Sequence, residues 1–100
     1  SATYDRPRAA GRRRRVSPVD PAALDRFLAG VERRALAMAE YALGQREDAL
    51  DAVQEAMLTL VRRYATRPPD EWAPLFYRVL ESRIADLRRR RGVRERWRAW

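Results

Sequence analysis

Cysteine, histidine, lysine and asparagine are all missing from this chain. Without cysteine or histidine there is no disulfide staple, no thiolate nucleophile, no zinc site of the usual type and no imidazole acid–base chemistry. Long apolar runs are missing too. None approaches the roughly 18 residues that a membrane span requires, and the N-terminus lacks the apolar stretch of a secretory signal. Glycine is scarce, at four residues, and none of them builds a phosphate-cradling loop. Strand-like alternation of polar and apolar residues is nowhere present. These absences leave a soluble, cytoplasmic, all-α domain that is expected to be no enzyme and to need neither metal nor cofactor.

The missing lysine makes each of the 22 basic residues an arginine. A GC-rich coding sequence explains that choice without any appeal to function, so the placement of the cations says more than their identity. One hundred residues support one small domain, and an apolar fraction of 46% supplies a modest core. The net charge of +8 is unevenly spread: +4 over residues 1–20, zero over 21–43, −3 over 44–61 and +7 over 62–100. A basic part suits a polyanion and an acidic part suits a basic protein surface, so two partners of opposite preference are expected.

Residues 1–19 have few large apolar side chains and no period, and read as a disordered basic tail containing the Arg12–Arg15 run. From Asp20 the pattern becomes helical. Asp20 and Pro21 read as N-cap and first helical residue. Leu24, Phe27, Leu28, Val31, Ala35, Met38, Ala39 and Ala42 then form one apolar face, and Gly44 is placed as a C-cap. A second helix is predicted from about Glu47 to Tyr64, with a stripe of Leu50, Val53, Met57, Leu60, Val61 and Tyr64. The prolines of Thr66–Asp70 break the pattern. A third helix starts between Asp70 and Pro74 and runs to about Arg91, with Trp72, Phe76, Val79, Leu80, Ile84 and Leu87 inward. Gly92 is expected to interrupt it. The fold class is a compact three-helix bundle.

At about 100° per residue, Glu47, Asp48, Gln54 and Glu55 all lie within roughly 60° of Asp51 on the second helix. Leu58 shares that face, turned away from the core stripe. A solvated polar face with one incidental leucine is one explanation; a docking ridge, with carboxylates meeting a basic surface around Leu58, is the other.

The stretch Asp51-Ala52-Val53-Gln54-Glu55, with Leu58 and the exit Arg62-Arg63-Tyr64, resembles the D-x-V-Q-E stretch in region 2 of bacterial sigma factors of the extracytoplasmic-function branch of the sigma-70 family. Phe76-Tyr77-Arg78-Val79 and the run from Arg83 to Arg90 resemble the W-L-Y-R-I and N-R-x-x-D-x-x-R-R patterns that follow in that family. The resemblance covers about residues 21–91 in order and spacing. It implies a region 2 helical domain over 20–91, the start of an interdomain linker over 92–100, and the N-terminal half of a longer factor; Trp97 and Trp100 near the end also suggest a longer parent. Leu75 stands where the family has tryptophan and Ser82 where it has asparagine, so no promoter sequence is inferred.

What the resemblance implies about function is a domain that directs transcription initiation. Asp48, Asp51, Gln54, Glu55 and Leu58 would bind the clamp helices of the largest subunit of core RNA polymerase. The third helix and the loop before it would recognise and melt the promoter −10 element and hold its non-template single strand, and an anti-sigma protein, if one exists, would be a further partner. Single-strand capture needs cations for the backbone and flat side chains for unstacked bases. Arg62, Arg63, Tyr64 and Arg67 before the loop, and Trp72, Tyr77 and Arg78 after it, supply both. Trp72 and Tyr64 lie on apolar stripes, which leaves core packing and base stacking both open to them, whereas Tyr77 falls off the stripe and is expected to be exposed. Arg88, Arg89, Arg90 and Arg91 exceed what helix capping requires and read as phosphate contacts. Arg83 falls inside the apolar stripe and reads as structural, paired with Asp86 or another carboxylate. A small basic helical nucleic-acid-binding adaptor with no tie to RNA polymerase is the alternative; it explains the arginines and leaves the acidic ridge without a purpose.

Overall fold

The structure, a computed structural model, describes residues 20–99. The expected basic tail, with Arg12–Arg15, lies outside the described residues, as does Trp100. Among the described residues the fold is all-α, three helices running up, down and up, and no helix is long and apolar enough to cross a membrane.

Helix α1 spans Pro21–Leu43. Asp20 caps it as its position before proline predicts: its carboxylate accepts the Ala23 N–H at 3.3 Å. The helix stops at Gly44, whose φ of 73° is left-handed and whose N–H donates to the Glu40 carbonyl at 2.7 Å. A residue with a Cβ costs roughly 1–2 kcal/mol in that conformation, which is why glycine stands there. Only Gly44 and Gln45 separate α1 from α2, Arg46–Tyr64, and an Arg46–Glu40 ion pair at 2.8 Å spans the turn. After α2 the prolines close a short 3-10 turn, Pro69–Glu71, which leads directly into α3, Trp72–Ala99.

The third helix corrects one expectation: Gly92 does not interrupt it, and the helix continues through residues 92–99. One glycine inside a helix costs only about 1 kcal/mol; Gly92 keeps an ordinary negative φ, and the arginines around it favour helix. The Arg91 guanidinium donates to the Leu43 carbonyl, tying α3 to the α1–α2 turn. Beyond that tie, residues 93–98 are exposed on every side, so the last two turns of α3 overhang the bundle.

The core has two unlike ends. At the α1–α2 turn it is alanine: Ala35, Ala39, Ala49, Ala52 and Ala56 have no exposed surface, and their small side chains let α1 and α2 approach closely. At the opposite end it is aromatic. Phe27 stands 5.8 Å from Trp72 and 6.1 Å from a fully buried Phe76, ring centre to ring centre, in tilted and edge-on arrangements. Leu43 is buried at the turn itself, and Leu60 and Leu80 are fully buried farther along the bundle.

Helix α2 is turned relative to the stripe predicted for it. Leu50 and Val61 are 44% and 42% exposed, while Ala49, Ala52 and Ala56 take the inward positions. The physical reason is fit. The surface that must sink against α1 is the one with the least bulk, and a pattern weighted by side-chain size points roughly 80° away from it.

Candidate functional site

The outer face of α2 carries the predicted ridge on one side of one helix. Asp51, Gln54 and Glu55 are exposed, Leu58 is 40% exposed, and Asp48 is half-buried at the margin. The rotation of α2 adds what the sequence reading missed. Leu50, Gln54, Leu58 and Val61 recur at spacings of four, four and three, within about 80° of one another, as the seam of a helix that packs on another helix does. Carboxylates border this strip: Glu47, Asp51 and Glu55 are all exposed. The observed surface is therefore a narrow apolar seam with an acidic margin.

Asp51 is already engaged. Its carboxylate accepts from the Arg83 guanidinium at 3.2 Å, across from α2 to α3, and Arg83 also lies 3.6 Å from Asp86 one turn along its own helix. The structural role expected of Arg83 is thus what the geometry gives it, with Asp51 as an additional partner. Half the Asp51 side chain remains exposed and able to take a second cation.

Of the residues assigned to nucleic acid, some converge and some do not. Arg62 and Arg63 are exposed in the last turn of α2, and the Arg63 guanidinium sits 5.8 Å from the centre of the half-buried Tyr64 ring. Arg67 is exposed but paired with Glu71 at 2.9 Å, which pins the proline loop to the start of α3. Arg78, Arg88, Arg89 and Arg90 are exposed along α3. Arg89 and Arg90 both lean on Asp86, the latter at 3.6 Å.

Three assignments need correction. Trp72 is not available to a base: only 3% of it is exposed, and its indole N–H donates to the Tyr64 carbonyl at 3.1 Å, so it is a core residue that also satisfies the last carbonyl of α2. Tyr77 is not exposed. It is half-buried, edge-on to Phe76 at 5.2 Å, with its hydroxyl buried, because it lies on the side of α3 that faces α1. Arg91 is half-buried and holds the Leu43 carbonyl, which makes it an internal tie rather than a free cation.

Between α2 and α3 lies a cavity of about 380 Å³. Arg63 and Arg78 stand at it with Glu55; Thr59, Val79 and Ser82 line it; Arg83 and Asp86 complete its wall. The Arg83 Nε is buried there without a hydrogen-bond partner, a condition that costs roughly 1–3 kcal/mol when nothing satisfies it. This pocket offers guanidinium donors, carboxylate and hydroxyl acceptors and one apolar side, a set that suits a flat polar heterocycle with phosphates at the arginine margin. Of its residues the sequence reading placed Glu55, Arg63 and Arg78 at a binding surface but missed Thr59, Val79 and Ser82. The available signal was the polar line Arg78, Ser82, Asp86 and Arg89, spaced four, four and three along one side of α3.

Among the described residues no group of acidic side chains could hold a metal ion. In comparisons with protein families, curated proteins and solved structures, none matches this chain.

Proposed function

We propose that this domain joins core RNA polymerase to promoter DNA, as the region 2 domain of a bacterial sigma factor does. The outer face of α2 is the polymerase contact. Its partner is a pair of helices with a basic margin, the clamp helices of the largest subunit. The α2–α3 cavity and the arginines of α3 are the DNA contact, the cavity taking an unstacked base of the −10 element and Arg78, Arg88, Arg89 and Arg90 the phosphates of the single strand. The observation that carries the reading is the strip Leu50–Gln54–Leu58–Val61: a helix-packing seam left exposed and bordered by Glu47, Asp51 and Glu55. A solvated face has no need of four such positions in register, and a nucleic-acid adaptor has no use for a seam bordered by carboxylates, which phosphate repels.

The test is a double variant, Gln54→Ala with Leu58→Ala, which touches no buried residue. Binding to core RNA polymerase, followed by anisotropy of a labelled domain, should weaken about 30-fold if both side chains sit in the centre of the contact, with helicity and affinity for a −10 single strand unchanged. Polymerase binding at the unaltered affinity would remove the docking assignment. A domain that ignores polymerase altogether and prefers duplex to single-stranded DNA would instead be the basic adaptor.

A further inference from the structure

A second cavity, of about 310 Å³, opens between α1 and α3, where α2 contributes nothing. It lies within the size range of small-ligand sites, about 300–1,000 Å³. Phe27, Val31, Ala73 and Tyr77 line it together with Gly30, and Arg26 and Arg34 supply its charge. Three independent features there have no use in holding the bundle together.

The first is the Tyr77 hydroxyl, buried with no hydrogen-bond partner, a cost that folded proteins rarely leave uncompensated. The second is Gly30, in the middle of α1, where glycine weakens a helix relative to alanine. A Cβ at Gly30 would meet nothing within 4 Å, and its φ is ordinary, so neither packing nor conformation asks for glycine. At this lining position glycine places no side chain in the cavity. The third is the pair Arg26 and Arg34, two turns apart with Gly30 midway on the same side, about 12 Å along the helix. Both are exposed, and neither has a carboxylate within ion-pair distance among the described residues. Their side chains are long enough to converge on one anion above Gly30.

We infer that this cavity binds a single nucleotide: its base lies on Phe27 and Ala73 and hydrogen-bonds to the Tyr77 hydroxyl, and its phosphate sits between Arg26 and Arg34. The same chemistry is offered by a free nucleoside phosphate and by one unit of a single strand. The site shares no residue with the α2–α3 cavity or the α2 seam, so it stands independently of the function proposed above.

The test titrates the whole chain, labelled with ¹⁵N, with adenosine monophosphate, inorganic phosphate and an oligothymidylate in parallel. Shifts of the Gly30 and Ala73 amides on adding adenosine monophosphate assign a free nucleotide; the same shifts with the oligonucleotide alone assign a strand unit. Arg26→Gln with Arg34→Gln should weaken binding about tenfold or more, and Tyr77→Phe a few-fold. Gly30→Leu, which fills the mouth with a good helix former, should abolish binding while the melting temperature holds or rises. Inorganic phosphate binding as tightly as the nucleotide would reduce the site to a bare anion contact and overturn the inference. So would undiminished binding by Gly30→Leu, no shift at Gly30 with any ligand, or binding lost on Arg63→Gln but kept in the Arg26/Arg34 variant, which would move the ligand to the α2–α3 cavity.

Discussion

The outer face of α2 and the exposed side of α3 are neighbours in space and opposites in chemistry. On α2, exposed leucine and valine stand in register among carboxylates, and the one arginine near its start is drawn off by Glu40. On α3, the arginines outnumber the acids, and Asp86, half-buried at the centre, gathers Arg83, Arg89 and Arg90 around itself. Apolar surface in register with charge at its margin suits a partner that must be covered and kept. Dispersed cations over a polar cavity suit a polyanion that is held by its backbone and exchanged with salt. The two regions meet at the Arg83–Asp51 ion pair and along the cavity that Glu55, Thr59 and Arg63 of α2 share with α3.

The largest effect should come from beneath both faces. Phe76 is fully buried and touches Phe27 and Tyr77; Phe76→Ala should cost about 3–5 kcal/mol in chemical denaturation and abolish the proposed polymerase and DNA binding together. Loss of one activity alone would mean that the two faces do not share this core. Next, replacing Arg88, Arg89 and Arg90 by glutamine should weaken single-strand binding about tenfold to hundredfold at 0.1 M salt and flatten the logarithmic salt slope by about 2. Polymerase binding should be unmoved. An unchanged slope would make these residues solubility groups and, for Arg89 and Arg90, partners of Asp86. Trp72→Phe removes the hydrogen bond to the Tyr64 carbonyl and should lower stability by roughly 1–2 kcal/mol without altering DNA affinity; a loss of affinity in a folded variant would restore Trp72 to the interface. The smallest effect belongs to the join. Arg83→Gln breaks contacts to Asp51 and Asp86, whose side chains are 53% and 39% exposed, so the ionic part of the change should be about 0.2–1 kcal/mol and shrink in high salt. It also frees Asp51, and a small gain in polymerase affinity would sharpen the contrast between the faces.

Much of the fold was legible in the order of residues. Asp20-Pro21 and Gly44 mark both ends of α1 because capping depends on neighbours along the chain. The inward positions of α1 and α3 follow from spacing, and the buried set Leu24, Val31, Trp72, Phe76, Leu80 and Ile84 agrees with it. The misreadings share one origin. Side-chain size points Leu50 and Val61 inward, but the inward positions of α2 at that end go to Ala49, Ala52, Val53 and Ala56. Tyr77 was placed outside because it lies off the stripe, yet it faces α1 rather than water. Gly92 was read as a break although its neighbours hold it in helix.

Local chemistry along the chain therefore determined three helices, their caps, the acidic concentration on α2 and the arginine concentration on α3, since each depends only on residues a few positions apart. Tertiary structure decided how far each helix is rolled about its own axis. That roll is set by the bulk of the facing helix, a quantity no single segment contains. It turned a leucine and a valine outward into a seam, sank Trp72, paired Asp51 with Arg83, and opened a cavity on either side of α3.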